Sequence, residues 1–209
     1  MDLINNNFEN ITSIEGFISL IISICVITLF FSIFINFMES KGRKNNVKVE
    51  KKSIVETGTM TGFFVFFYLL IKNRIGVLII DSFEIRLILA FTGLAIIVLG
   101  CVINIIGRVY LGKNWANQIR IYDDHTLVRK GMFKIVRHPL YASIIWMFFG
   151  ASLVYLNYPA FFATLFIFVP FMYYRAKQEE VLLSKKFKEY DSYKFETGMF
   201  FPKIWRIKK

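Results

Sequence analysis

Cysteine and histidine are scarce in this chain of 209 residues, which has two of each: Cys25, Cys101, His125 and His138. Both cysteines lie deep in apolar runs, so nothing supports a disulfide framework or a thiolate metal site. A multi-histidine centre is excluded by number alone. Asp123, Asp124 and His125 are adjacent, but neighbouring acids in a loop bind cations weakly, and no metal is expected. Lysine and arginine are absent from residues 1–16, which carry Asp2, Glu9 and Glu15. The basic start of a secretory signal is therefore missing, and neither end carries a lipidation motif. No Gly-x-Gly-x-x-Gly or P-loop sequence occurs, so soluble-type dinucleotide or nucleotide binding has no support. There is no internal repeat and no low-complexity segment.

What is abundant is apolar length. Hydrophobic residues make up 56% of the chain and aromatic residues 18%; soluble domains are usually about 45–50% apolar with glycine included. Phe17 to Met38 is uncharged and long enough to cross a hydrocarbon core of about 30 Å. Thr57 to Ile71 is shorter and borrows flanking residues, with Lys72 and Arg74 reaching the surface. Leu87 to Gly107 forms a third span, in which the polar Asn104 is expected to face other helices. From Pro139 to Tyr174 no charge occurs, a run that would reach about 54 Å as one helix. Asn157-Tyr158-Pro159 is turn chemistry within it. The run therefore reads as two antiparallel spans, 140–156 and 159–174, the second kinked by Pro170. The expected fold is all-α: a polytopic membrane helical bundle of about five transmembrane helices.

The formal charge is +11. Because the basic residues flank apolar runs and no nucleic-acid-binding motif accompanies them, topology and anionic lipid explain them, and no nucleic-acid partner is expected. Of the 26 lysines and arginines, only Lys72, Arg74 and Arg86 fall outside residues 39–56, 108–138 and 175–209. The positive-inside rule then places the N-terminus outside and the C-terminus in the cytosol. The expected location is the plasma membrane of a prokaryote. Two regions follow: residues 1–107 with three spans, and residues 108–209 with a cytosolic loop, a helical hairpin and a cytosolic C-terminal segment. The loop and the C-terminal segment share one face of the membrane, so they can meet.

Chemistry is expected there. Pro139 suits a first helical turn and pushes His138 towards extended geometry. That holds His138 at a helix entrance, where unpaired N–H groups favour an anion. Arg137 adds a fork suited to a carboxylate, and Tyr141 lies one turn in. Simple anchoring at the interface accounts for Arg137 and His138 equally well. Arg175 and Glu179 share a helix face; they form either a local ion pair or a site where Arg175 holds an anion and Glu179 accepts from hydroxyls or amines.

Several ordered stretches carry a resemblance. They are Leu111-Gly112-Lys113-Asn114-Trp115, His125-Thr126-Leu127-Val128, Gly131-Met132-Phe133 and Arg137-His138-Pro139-Leu140-Tyr141, followed by Glu179-Glu180, Leu183, Phe187, Tyr190, Tyr193 and Pro202. Over residues 108–203 this set resembles the isoprenylcysteine carboxyl methyltransferase family. The resemblance implies a membrane-embedded methyltransferase using S-adenosyl-L-methionine and acting on a lipophilic or small acceptor: a carboxylate, thiol or hydroxyl. Carried over, the cofactor-binding positions are Gln118, His125, Thr126, Leu127, Val128, Phe133, His138, Pro139, Tyr141 and Glu179. Arg175 matches the substrate-contacting arginine, and Glu180 or His138 is the candidate base if the acceptor must lose a proton. Phe133 departs from the family's usual tyrosine, and Lys188 from its usual glycine. A membrane reductase of the sterol-reductase type using NADPH, and a non-enzymatic membrane protein, are the competing readings.

Overall fold

The computed structural model describes residues 2–42, 47–51, 54–115, 119–122 and 125–203, with side chains over 13–39, 58–115 and 125–203. It is a helical bundle. Helix α1 is Asp2–Gly42, α2 is Ile54–Lys72 and α3 is Phe83–Leu111. Helix α4 is Pro139–Val154, α5 runs Tyr158–Lys186 and α6 is Tyr190–Glu196. Every expected span thus falls on a helix. Three stretches, Ser13–Glu39, Phe83–Asn114 and Tyr158–Lys186, are long and apolar enough to cross a membrane, and Gly58–Lys72 and Pro139–Val154 are shorter apolar helices. Large apolar side chains face outward along them, with Ile27, Val109 and Phe166 at 67%, 75% and 67% exposure. Such faces are unsustainable in water but suit lipid. The chain is a multi-pass integral membrane protein.

One element is additional to the helices. Strand β1, Val47–Lys51, pairs antiparallel with β2, Ile119–Tyr122, joining the α1–α2 connection to the loop that precedes His125.

Close packing of α3 on α4 follows from small residues. Gly93, Gly100 and Gly107 recur at heptad spacing and meet Gly150, Ser143 with Met147, and Leu140. A Cβ at Gly93 would lie 2.4 Å from the Gly150 carbonyl oxygen, so the two backbones touch. This is how helices associate in lipid, where apolar burial contributes little. Beside the glycines, Asn104 is fully buried and donates to the Leu140 carbonyl at 3.1 Å and to Ser143 Oγ at 2.8 Å. Its own Oδ1 accepts from Arg108 Nε at 2.8 Å, and Arg108 Nη1 reaches Asn36 Oδ1 on α1 at 3.2 Å.

An aromatic core joins α2, α4 and α5. The Phe168 ring stacks on Phe63 at 4.6 Å and meets Phe148 edge-on at 4.7 Å. The turn expected at Asn157 is present. Asn157 Oδ1 accepts from Ala160 N at 2.9 Å, capping α5, while its Nδ2 donates to the Ile75 carbonyl at 2.9 Å. The turn is thereby fastened to the α2–α3 connection. Where a kink at Pro170 was expected, α5 carries a π-helical turn at Thr164–Phe168, ending two residues before the proline. Proline has no N–H and its ring crowds the carbonyl four residues back; widening the preceding turn accommodates both.

Candidate active site

The site is built where the apolar parts of α4 and α5 reach charged sequence. His138 precedes α4, and Pro139 opens it, as proline's fixed φ allows. The His138 ring is buried and lies parallel to the Tyr141 ring, with centroids 5.4 Å apart and an interplanar angle of 2°. Tyr141 Oη donates to Glu179 Oε2 at 3.0 Å and accepts from Arg175 Nε at 3.1 Å. His138 Nδ1 is 3.7 Å from the same Glu179 oxygen. The sequence-predicted set His138, Tyr141, Arg175 and Glu179 therefore forms one connected array. Arg175 is buried, while the Glu179 side chain remains 35% exposed and is the member most open to a ligand.

Arg137 and Glu180 depart from the expectations. Arg137 Nε donates to Glu180 Oε1 at 2.8 Å, with the two side chains only 9% and 2% exposed. Arg137 Nη1 also donates to the carbonyls of Lys194, at 3.1 Å, and Thr197. The carboxylate that suits the Arg137 fork is thus internal. His138 Nε2 lies 3.4 Å from Glu180 Oε1 on the other side. Burial by itself would raise the Glu180 carboxyl, but the His138 ring beside it and the hydrogen bond and charge of Arg137 outweigh it and hold the group at about 2. A carboxyl held there is a weak proton acceptor at neutral pH. Through Arg137, Glu180 joins α5 to the C-terminal segment.

That segment folds back over the loop before α4. Arg137 N donates to the Gly198 carbonyl at 2.9 Å and His138 N to the Met199 carbonyl at 3.1 Å. Tyr193 Oη donates to the Phe133 carbonyl at 2.5 Å, and burial pushes the Tyr193 hydroxyl up to about 12. Phe133 itself is buried beneath this contact. A side chain at Gly198 would collide with the Phe201 carbonyl, so the close approach requires glycine.

The remaining predicted residues sit on the preceding loop. Thr126, Leu127 and Val128 line a hollow of about 410 Å³ together with Tyr110 to Asn114, Arg129 and Lys130. The His125 ring is 6.1 Å from Phe187, at the end of α5. Gln118 lies outside the described residues. Sequence reasoning missed Asn114 as a support. It is buried, its Nδ2 donates to Thr126 Oγ1 at 3.0 Å, and its Oδ1 accepts from Thr126 N at 3.0 Å. An amide residue two positions after the Gly112 helix stop was the available signal.

The profile of the isoprenylcysteine carboxyl methyltransferase family matches residues 92–185, the stretch from mid-α3 through the array to the end of α5. The resemblance is to that family. The chain is 28% identical over 115 residues to a probable protein-S-isoprenylcysteine O-methyltransferase of Oryza sativa subsp. indica, covering 53% of this chain and 60% of that protein. It is 30% identical over 117 residues to the protein-S-isoprenylcysteine O-methyltransferase of Saccharomyces cerevisiae, covering 51% and 49%. The fold is similar to that of a eukaryotic intramembrane Ras methyltransferase, an isoprenylcysteine carboxyl methyltransferase, with a TM-score of 0.54 at 23% identity over 75% of this chain and 55% of that one. The matched region spans about half to three-fifths of the curated relatives' length. The His138, Tyr141, Arg175 and Glu179 array lies wholly inside the family-matched stretch, whereas Tyr193, Thr197 and Gly198, which close over it, lie outside.

Proposed function

We propose that this chain transfers a methyl group from S-adenosyl-L-methionine to the carboxylate of a lipophilic acceptor, and that residues 108–209 carry the chemistry. The observation that carries the reading is the Arg175–Tyr141–Glu179 relay, seated where apolar helices end. The residues present fit the cofactor. Glu179 offers a partly exposed carboxylate to an ammonium or ribose hydroxyl. The His138 and Tyr141 rings are stacked, and residues 125–129 are irregular backbone, with polar groups available for recognition. Gln118, His125 and Phe133 are proposed to complete that pocket.

When bound, the cofactor supplies an electrophilic methyl on a sulfonium. The protein's share is positioning. Arg175 binds and aims the acceptor carboxylate, and Tyr141 fixes the guanidinium by accepting from Nε. A carboxylate carries its own lone pair, so no general base is required. A thiol or hydroxyl acceptor would need one, and with Glu180 consumed by Arg137 the candidates are His138 and Glu179. The curated relatives are named for S-isoprenylcysteine, and we extend only the lipophilic carboxylate class to this chain. The acceptor enters from the bilayer. The basic loops lie in the cytosol and the N-terminus outside, in the plasma membrane of a prokaryote.

Calorimetry on the purified protein tests this reading. Saturable binding of S-adenosyl-L-methionine, lost in His138→Ala and Glu179→Ala, is the expected result. Selective binding of NADPH instead, or unchanged cofactor binding in both variants, overturns it.

A further inference from the structure

Helices α3 and α4 pack side by side but differ in length, and the difference lies at the end away from the array. At the array end they finish together, since Gly107 meets Leu140 and Pro139. At the far end Gly93 meets Val154, the last residue of α4. The uncharged run of α3 continues past that contact to Leu87, about 9 Å further. With 16 residues α4 reaches about 24 Å, short of a hydrocarbon core of about 30 Å. The level left open is filled by the α2–α3 connection, which is bonded to the turn after α4. We infer that its segment Ile75–Ile80 inserts among the acyl chains of the leaflet opposite the array.

Side chains are the first argument. Ile75–Ile80 carries no charge, Ile79 is 93% exposed, and Ile75, Val77 and Leu78 also face outward. Lys72 and Arg74 stand at the base of the segment, within snorkelling reach of the surface. Lys72 Nζ lies over the Tyr68 ring at 5.7 Å, and Tyr155 and Tyr158 are exposed at the adjoining turn. Tyrosine with lysine is the composition of a membrane boundary.

Backbone is the second argument. Irregular chain is tolerated at membrane depth only where protein covers and pairs its polar groups. Ile75 N donates to the Leu70 carbonyl at 3.0 Å, and Leu78 N to the Leu156 carbonyl at 2.8 Å. The Ile75 carbonyl accepts from Asn157 Nδ2 at 2.9 Å, and the Gly76 carbonyl from Tyr158 N at 3.3 Å. The segment is also held tightly: Gly76 has φ +68°, and a Cβ there would lie 2.4 Å from Pro159 Cγ. From this base the chain climbs to the Ser82 cap of α3, where Asp81 returns charge to the surface. A second copy of this chain would also cover an apolar loop. The patch, however, adjoins Phe83, Ile85 and Ile88, exposed on a helix long and apolar enough to cross the bilayer, so lipid is the occupant. Insertion depends on the placement of α3 and α4 and not on methyl transfer, so the two readings can fail separately.

Spin labelling of the full chain in phosphatidylcholine proteoliposomes tests the inference. Ile79→Cys carries the nitroxide at an exposed position, so the fold is undisturbed. The native Cys25 and Cys101 are buried and stay in place, and wild type treated with the same label gives the background. Phe30→Cys on the outer face of α1 is the lipid reference, and Lys188→Cys is the water reference. At Ile79 collisions with dissolved oxygen are expected to exceed those with a water-soluble nickel chelate, as at Phe30, with the order reversed at Lys188. Collisions dominated by the nickel chelate at Ile79 would put the loop in water and overturn the inference. Low accessibility to both reagents also overturns it, because a second copy or another protein would then cover the loop.

Discussion

Glu180→Gln is expected to damage stability before it damages chemistry. The wild-type carboxylate is 2.8 Å from Arg137 Nε, with both side chains nearly inaccessible. Removing its charge leaves the Arg137 guanidinium buried beside a neutral amide. Breaking a buried pair on one side in this way costs about 3–5 kcal/mol. Arg137→Met should cost a similar amount, because Glu180 would keep only His138 at 3.4 Å and Lys194 Nζ at 4.0 Å. The double variant Arg137→Met/Glu180→Leu removes both charges together. It forfeits the two Arg137 bonds to the Lys194 and Thr197 carbonyls, about 1 kcal/mol each, so it should lie about 2 kcal/mol below the wild type, well above either single variant. Unfolding by SDS titration in mixed micelles, followed by tryptophan fluorescence, measures all four corners of the cycle. A Glu180→Gln protein within about 1 kcal/mol of the wild type, or a double variant as damaged as the sum of the singles, would refute the reasoning. The sign with pH follows from the same pair. The folded carboxyl sits at about 2, below its ordinary 4.5, so its contribution is complete above 4.5 and is lost as pH falls towards 2. Wild-type stability should fall through that window, and the double variant should lack that component.

Other outcomes follow from separate parts of the bundle. Gly93→Leu should prevent α3 and α4 from closing, because even a Cβ there lies 2.4 Å from the Gly150 carbonyl oxygen, whereas Gly62→Ala meets open space and should be neutral; thermal unfolding in detergent separates them, with Gly93→Leu lower by at least about 1–3 kcal/mol. Asn114→Ala removes both bonds to Thr126, and if that residue faces the cofactor, S-adenosyl-L-methionine affinity should fall about tenfold by calorimetry while the bundle remains folded. Tyr141→Phe deletes the hydroxyl between Arg175 and Glu179 while keeping the ring that stacks on His138. On the proposed reading it should lower kcat/KM about tenfold to a hundredfold in a radiolabelled methyl-transfer assay, and an unchanged value would remove Tyr141 from the positioning machinery.

The sequence made the spans legible because lipid imposes a simple length and polarity rule that leaves its mark residue by residue. Asn104, the Asn157 turn and the Pro170 disturbance were legible for the same reason: a polar or imino residue inside an apolar run must be accommodated. The ribbon Val47–Lys51 with Ile119–Tyr122 was not, since each strand is short and its partner is remote in the chain. The candidate site was legible in its membership and illegible in its division of labour. Glu179 and Glu180 are neighbours, and adjacent residues on a helix point about 100° apart. Both approach the His138 ring, from its two nitrogens, and which of them turned further inward depended on where Arg137 would lie. Arg137 was in turn fixed by the carbonyls of Lys194 and Thr197, supplied by a tail whose return path no local pattern encodes. Once that tail is in place the assignment follows: Arg137 takes the buried acid, which leaves Glu179 on Tyr141 and partly open. The acid that remains available for a ligand is therefore selected by the C-terminal segment, beyond the residues the family profile matches.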